Sequence, residues 1–279
     1  MSRLKKLLSS YIKQPQYWYK NISLRHLRTR SDLKVLFIVG APRSGTTLLH
    51  TLISAHEFCY TVPCETGLFT WQNLYDRPRL ELSLEETHQR LNDSKDIVEF
   101  LQEFARGLTD HAGDKFFVEK TPQHVNHIAK LKRHFPNAKF VHIHRDARDC
   151  YLSTFSVDNM TTFHDAAFFA HYWNQCVASG LKMKEDDSVY TLSYEALVSN
   201  PCAELGKIMG FMDLKYQQQQ LDPIVYGADK RSKRKHFKRL SGPITTASVG
   251  RWKKELELPD LKKITSISND LLIQLGYEV

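Results

Sequence analysis

The stretch that most restricts how this chain can fold is residues 35–49, Val-Leu-Phe-Ile-Val-Gly-Ala-Pro-Arg-Ser-Gly-Thr-Thr-Leu-Leu. Residues 35–39 are an unbroken β-branched and apolar run, the pattern of a strand buried on both faces of a parallel sheet. The run stops at Gly40. Leu48, Leu49, Leu52 and Ile53 then recur at helical spacing, so the segment reads strand, glycine loop, helix. The loop spells G-x-x-x-x-G-T-T, close to the phosphate-binding G-x-x-x-x-G-K-[ST]. Its N–H groups and the positive end of the following helix suit an anionic group. Where a nucleotide kinase has lysine, this chain has Thr46, and a cation stands earlier in the loop, at Arg43. That substitution points away from Mg-ATP chemistry.

Four more apolar runs, near residues 58–62, 115–118, 139–144 and 188–192, read as strands of the same sheet, and each leads into polar residues. The second leads to Glu65. The third leads to Glu119-Lys-Thr-Pro122, where Lys120 sits at a strand end and Pro122 suits a first helical turn. The fourth leads to R-D-x-R-D-x-x-x-S, residues 145–153. An arginine fork fits phosphate geometry and stays charged at any relevant pH. Asp146 and Asp149 suit the start of the next helix and are placed to orient the arginines. The fifth leads to Tyr194-Glu195, and Ser248-Val-Gly-Arg-Trp252 follows near the C-terminus. Two histidine pairs, His124/His127 and His142/His144, lack a third candidate ligand at a telling spacing, so no metal site is expected.

These segments, in this order, resemble the sulfotransferases that use 3′-phosphoadenylyl sulfate (PAPS). The resemblance runs from about residue 34 to the end. It implies an α/β fold with a P-loop-like, mainly parallel sheet flanked by helices on both faces, and helical insertions covering the site. Arg43 then clamps the 5′-phosphosulfate, with donors from Ser44, Gly45, Thr46 and Thr47. Arg145 and Ser153 contact the 3′-phosphate, Tyr194 lies near the adenine or its phosphates, and Ser248 and Arg251 close the nucleotide site. Glu65 stands where a catalytic base follows the second strand. Lys120 approaches the transferring group and neutralises charge on the bridging oxygen. The bland alternatives are a glutamate that caps a helix or pairs with an arginine, and a surface lysine. The implied reaction is in-line sulfuryl transfer to a hydroxyl or amine, releasing adenosine 3′,5′-bisphosphate (PAP), with no metal. The lysine in the first loop and the catalytic histidine of the cytosolic phenol and steroid enzymes do not appear in that form. The chain is therefore nearer the tyrosylprotein and microbial carbohydrate branches, with a small-molecule or glycan acceptor. A P-loop nucleotide kinase and a non-catalytic nucleotide or nucleic-acid binding module are the rival readings.

The 279 residues show no repeat and no Pro/Gly/Ser-rich linker, so residues 34–279 read as one domain behind a basic arm, residues 1–33. In the arm, Leu4, Leu7, Leu8, Tyr11 and Ile12 make one face of a helix, which either docks on an anionic membrane surface or packs against the domain. The N-terminus lacks the apolar core and cleavage site of a secretory signal, and the five cysteines lack zinc spacing. A reduced, cytoplasmic protein is the expectation. The formal net charge of +8 suits an anionic ligand, a nucleic acid or an anionic surface equally. The basic run at residues 230–239 reads as a solvated loop or a flank of the donor site, and no nucleic-acid partner is expected.

Overall fold

The five apolar runs do form one sheet. In a computed structural model, which describes residues 16–62, 64–70, 73–76, 78–108, 115–157, 160–227 and 242–279, the strands are β1 (Val35–Gly40), β2 (Cys59–Thr61), β3 (Phe116–Lys120), β4 (Lys139–His144) and β5 (Val189–Ser193). Their order is β2-β3-β1-β4-β5 and every pairing is parallel. β1 is central and fully buried, as its unbroken apolar run requires.

In chain order the helices are α1 (Gln16–Arg25), α2 (Thr46–Ser54), α3 (Leu84–Asp93), α4 (Ile97–Arg106), α5 (Ile128–His134), α6 (Ala147–Thr154), α7 (Ala166–Leu181), α8 (Tyr194–Ser199), α9 (Pro201–Phe211), α10 (Pro223–Gly227), α11 (Trp252–Glu255) and α12 (Leu258–Gln274). The period-2 alternation of β1 splits its side chains between two cores. Val35, Phe37 and Val39 pack with Trp173 and Val177 of α7, Ile264 and Leu272 of α12, and Phe100 and Leu101 of α4. Leu36 and Ile38 face Leu49, Leu52 and Ile53 of α2 with Leu205 and Ile208 of α9. Each such fully buried side chain contributes about 1.5–3 kcal/mol.

Residues 17–33 pack against the domain, one of the two readings of the basic arm: Leu24 and Leu33 are buried in the first core, and Ser31 N–H donates to the His134 carbonyl at 2.8 Å. Two expectations are corrected. The apolar spacing of Phe163, Ala166, Ala167, Phe169, Ala170 and Trp173 predicts a helix over 155–187, and the structure breaks it. α6 ends before Phe155, a short 3₁₀ turn spans Thr161–His164, and α7 starts anew because Asp165 caps it, accepting from Phe168 N–H at 2.8 Å. β3 runs on through Glu119 and Lys120, past the expected end at 118. In the insertion after β2, Ser83 and Glu86 form a capping box that starts α3, and Asp96 caps α4. The proposed helical face in residues 4–12, the basic run 230–239, and Asp158 and Asn159, which the sequence offers as residues reaching the acceptor, lie outside the described residues.

Candidate active site

Parallel strands leave their carboxyl ends along one edge of the sheet, and a ligand site there draws on the residues that follow each strand. All five ends carry polar residues singled out in the sequence.

The loop after β1 leaves the sheet through Arg43 at φ 70 and Gly45 at φ 98. Arg43 is in the left-handed region, which costs a residue with a side chain of order 1 kcal/mol and concentrates at functional sites. Gly45 is required for two reasons. Its φ disfavours any side chain, and a Cβ there would lie 2.4 Å from the Tyr194 ring. Gly45 is also the residue before α2, and no side chain caps that helix. The Ser44 hydroxyl turns inward to the Ala41 carbonyl at 2.7 Å, so it braces the loop. Thr46 is buried and Thr47 half-buried at the first turn.

Arg43 reaches across to α6, where its Nε donates to Ser153 Oγ at 3.1 Å. Burial lowers its pKa, and the Arg145 charge adds to this. Arg145, directly after β4, is 5% exposed. Its Nη1 donates to the Arg43 carbonyl at 3.4 Å and its Nη2 to the Ser248 carbonyl at 2.5 Å. The guanidinium lies 4.4 Å from the centre of the Tyr194 ring. Its Nε is buried without a hydrogen-bond partner. An orphaned N–H on a buried cation, beside a second arginine and an uncapped helix start, fits a phosphate.

On the other side of β1, Lys120 at the end of β3 donates to Glu65 Oε1 at 2.5 Å. Lys120 is 3% exposed and the Glu65 side chain 49%, so the lysine is walled in while the carboxylate faces outward. Glu65 is therefore held by Lys120 and also acts electrostatically on Arg43, and Lys120 is not a surface lysine.

Beneath this pair is a buried knot that the sequence did not reveal. Glu119, beside Lys120, accepts from Thr66 Oγ1 and Thr121 Oγ1 at 2.7 Å each, and from His124 Nδ1 at 2.9 Å. His124 Nε2 accepts from Phe69 N–H at 3.3 Å, which fixes the proton on Nδ1. Burial pushes the Glu119 carboxyl upward, but the bonds from His124, Thr121 and Thr66 outweigh it and hold it below its ordinary value. Thr66 follows Glu65 and Glu119 precedes Lys120, so one knot locks both chain segments that carry the pair. His124 is thereby a structural residue. The hint available in the sequence was an acid beside a lysine at a strand end, with threonine following each of Glu65 and Lys120.

The R-D-x-R-D segment divides its labour. Asp146 caps α6 and holds the buried Arg148 through Nε at 2.9 Å and Nη2 at 2.7 Å. Arg148 lies 3.6 Å from the centre of the Trp252 ring. Asp149 accepts from Gly250 N–H at 2.7 Å and Trp252 N–H at 3.1 Å. Asp146 orients Arg148, whereas Asp149 mainly ties down the G-R-W segment and stands 3.9 Å from Arg145. That clasp brings Ser248 to Arg145 through its carbonyl. Arg251 is held by Glu255 at 2.9 and 2.5 Å, and the structure does not bring its guanidinium to Arg145. Glu195 accepts from Asp146 N–H at 3.1 Å and is bonded to Tyr277 Oη at 3.0 Å, which is also 2.9 Å from His144 Nδ1. Burial keeps His144 neutral, with a pKa lowered to about 4. Among the described residues no group of three or more His, Cys, Asp or Glu is arranged to hold a metal.

Known proteins are similar to this chain in sequence and in fold. The chain is 26% identical over 260 residues to a putative protein-tyrosine sulfotransferase of Caenorhabditis briggsae, covering 88% of this chain and 89% of that protein. Its fold is similar to the sulfotransferase domain of the Synechococcus olefin synthase, with a TM-score of 0.63 and 20% identity over 91% of this chain and 98% of that one. It is also similar to a mouse sulfotransferase solved with PAP, with a TM-score of 0.56 and 18% identity over 91% of this chain and 88% of that one. The sulfotransferase family model matches residues 36–218, more than half of the chain and a span that takes in the loop after β1, Glu65, Lys120, Arg145 and Tyr194. This chain therefore belongs to the sulfotransferase family, and is an enzyme that transfers a sulfuryl group from PAPS to an acceptor.

Proposed function

We propose that Glu65 is the general base of this transfer, and that the acceptor is a hydroxyl compound, a small alcohol or a glycan, presented at the outward face of that carboxylate. The observation that carries the reading is the Lys120–Glu65 pair, 2.5 Å apart at the carboxyl edge of the sheet. A buried cation is fixed there beside an exposed carboxylate, next to an anion-binding loop.

PAPS supplies an activated sulfuryl group whose loss leaves PAP. For that donor, Arg145 through its orphaned Nε and Ser153 take the 3′-phosphate, and Tyr194 packs against the nucleotide side of the arginine. Arg43 and the loop residues Ser44 to Thr47 bind the 5′ end. Ser248 contributes the closing strand of chain, and Arg251 joins the set only by leaving Glu255. Glu65 accepts the acceptor's O–H proton as the acceptor oxygen bonds to sulfur. Lys120 and Arg43 neutralise the negative charge that builds on the departing phosphate oxygen, which is where preorganised cations lower a barrier most. The odd number of cysteines without zinc spacing suits a reducing, cytoplasmic compartment for this transfer.

Glu65→Gln tests the base. Turnover is expected to fall by two orders of magnitude or more while PAP binding, followed by calorimetry, changes little. A variant with near-wild-type turnover rejects the role. Arg145→Ala tests the donor site against a kinase reading: selective binding of PAP over 5′-AMP and Mg-ATP is expected in the parent and lost in the variant. Preference for Mg-ATP, insensitive to Arg145, would put the kinase reading first.

A further inference from the structure

The formal net charge of this protein is unevenly distributed along its sequence. Residues 1–31 hold eight of its Lys and Arg residues and no Asp or Glu, which equals the whole formal excess of +8. The remaining chain holds 31 basic and 31 acidic residues and is formally neutral. α1 is the described helix of this acid-free stretch. Its inner face is anchored: Leu24 is fully buried, Asn21 Oδ1 accepts from Leu74 N–H at 2.9 Å, and Lys20 Nζ donates to the Asn92 carbonyl at 2.9 Å. Its outer face presents Trp18, Tyr19 and Ile22, which are 53%, 77% and 49% exposed. Trp18 and Ile22 are one turn apart and Tyr19 lies between them, so an anchored helix displays one contiguous apolar and aromatic patch inside this acid-free stretch of the sequence.

We infer that this patch and the basic stretch around it dock the enzyme on the surface of an anionic lipid bilayer. Trp and Tyr combine an apolar ring with a polar tip and favour the headgroup level of a membrane. Isoleucine adds buried area, and each Lys or Arg near an anionic surface adds attraction that salt weakens. A polyanion would use the charge but has little use for Ile22, and a second copy of this chain would meet its own positive charge there. Docking also has a consequence for the site. Arg25 of the same helix donates to the carbonyls of Leu68 and Thr70, in the segment that follows Glu65. A helix held on the bilayer is thereby tied directly to the chain that follows Glu65. The inference is independent of the base and donor assignments.

Flotation of the full chain with phosphatidylcholine vesicles, with and without phosphatidylserine, tests it. Binding is expected only with the anionic lipid, and should weaken strongly as salt is raised. Trp18→Ser/Tyr19→Ser/Ile22→Ser should bind at least tenfold more weakly, with PAP binding and turnover of a soluble acceptor unchanged as a check on folding. Lys5→Glu/Lys6→Glu should abolish the lipid preference. No binding to anionic vesicles overturns the inference. So does equal binding by the triple variant, which would mark a plain polyanion surface. Loss of a dimer in the triple variant during sedimentation, without vesicle binding by the parent, would mean that a second copy covers the patch.

Discussion

Glu119→Gln isolates the knot under the Lys120–Glu65 pair, because it keeps the shape of the side chain and removes its charge. The amide oxygen can still accept from Thr66 and Thr121, but the amide nitrogen must face His124 Nδ1–H, donor against donor. His124 cannot escape by moving its proton, since Nε2 would then face Phe69 N–H. One buried donor is left unpaired on either choice, at a cost of about 1–3 kcal/mol. The two threonine bonds change from charge-assisted to neutral, at about 1 kcal/mol each. The sum is about 3–5 kcal/mol, which lowers the melting temperature by roughly 10 °C for a domain of this size. The pH dependence adds a sign. The folded-state carboxyl titrates below its ordinary value of 4.5. Its stabilisation is thus fully present above that value and is lost as pH falls through the lower folded-state one. Urea denaturation of parent and variant should show the full gap at pH 7.5 and a smaller gap at pH 4. A variant within about 0.5 kcal/mol of the parent at pH 7.5, or a gap equal at both pH values, refutes a charged carboxylate in the knot.

Two further changes probe close approaches. Gly45→Ala places a Cβ 2.4 Å from the Tyr194 ring at a backbone angle that disfavours alanine; PAP affinity by calorimetry should fall at least tenfold, and unchanged affinity would mean that the loop does not depend on this contact. Gly180→Ala, within α7, would ordinarily stabilise a helix by up to about 1 kcal/mol. Here the new methyl lies 2.3 Å from the His142 ring, so a net loss of about 1–3 kcal/mol is expected in urea denaturation. Adding His142→Ala should recover the overpacking component, and a Gly180→Ala variant more stable than the parent would contradict the packing.

The residue pattern alone specified a great deal. The unbroken apolar run of β1 suits a strand buried on both faces, and the other four short runs each end in polar residues, so the five strands and the polar residues at their ends were legible in order. The loop G-x-x-x-x-G-T-T announced an anion site because its chemistry is local: a glycine at positive φ, a helix start and a cation within a few residues. What stayed hidden is whatever depends on partners far apart in sequence. The bond between Arg43 and Ser153 spans 110 residues and that between Thr66 and Glu119 spans 53. No spacing rule links such positions, and only the stacking of strand ends brings them together. Competition for a side chain is equally non-local. The R-D-x-R-D pattern by itself does not rank Arg145 above Arg148, and the resemblance implied Arg251 as well, yet Asp146 and Trp252 take up Arg148 and Glu255 takes up Arg251. Which arginine keeps an N–H free for an anion was decided by the tertiary structure, because a buried charge satisfies itself with whichever opposite group the fold brings within hydrogen-bond reach.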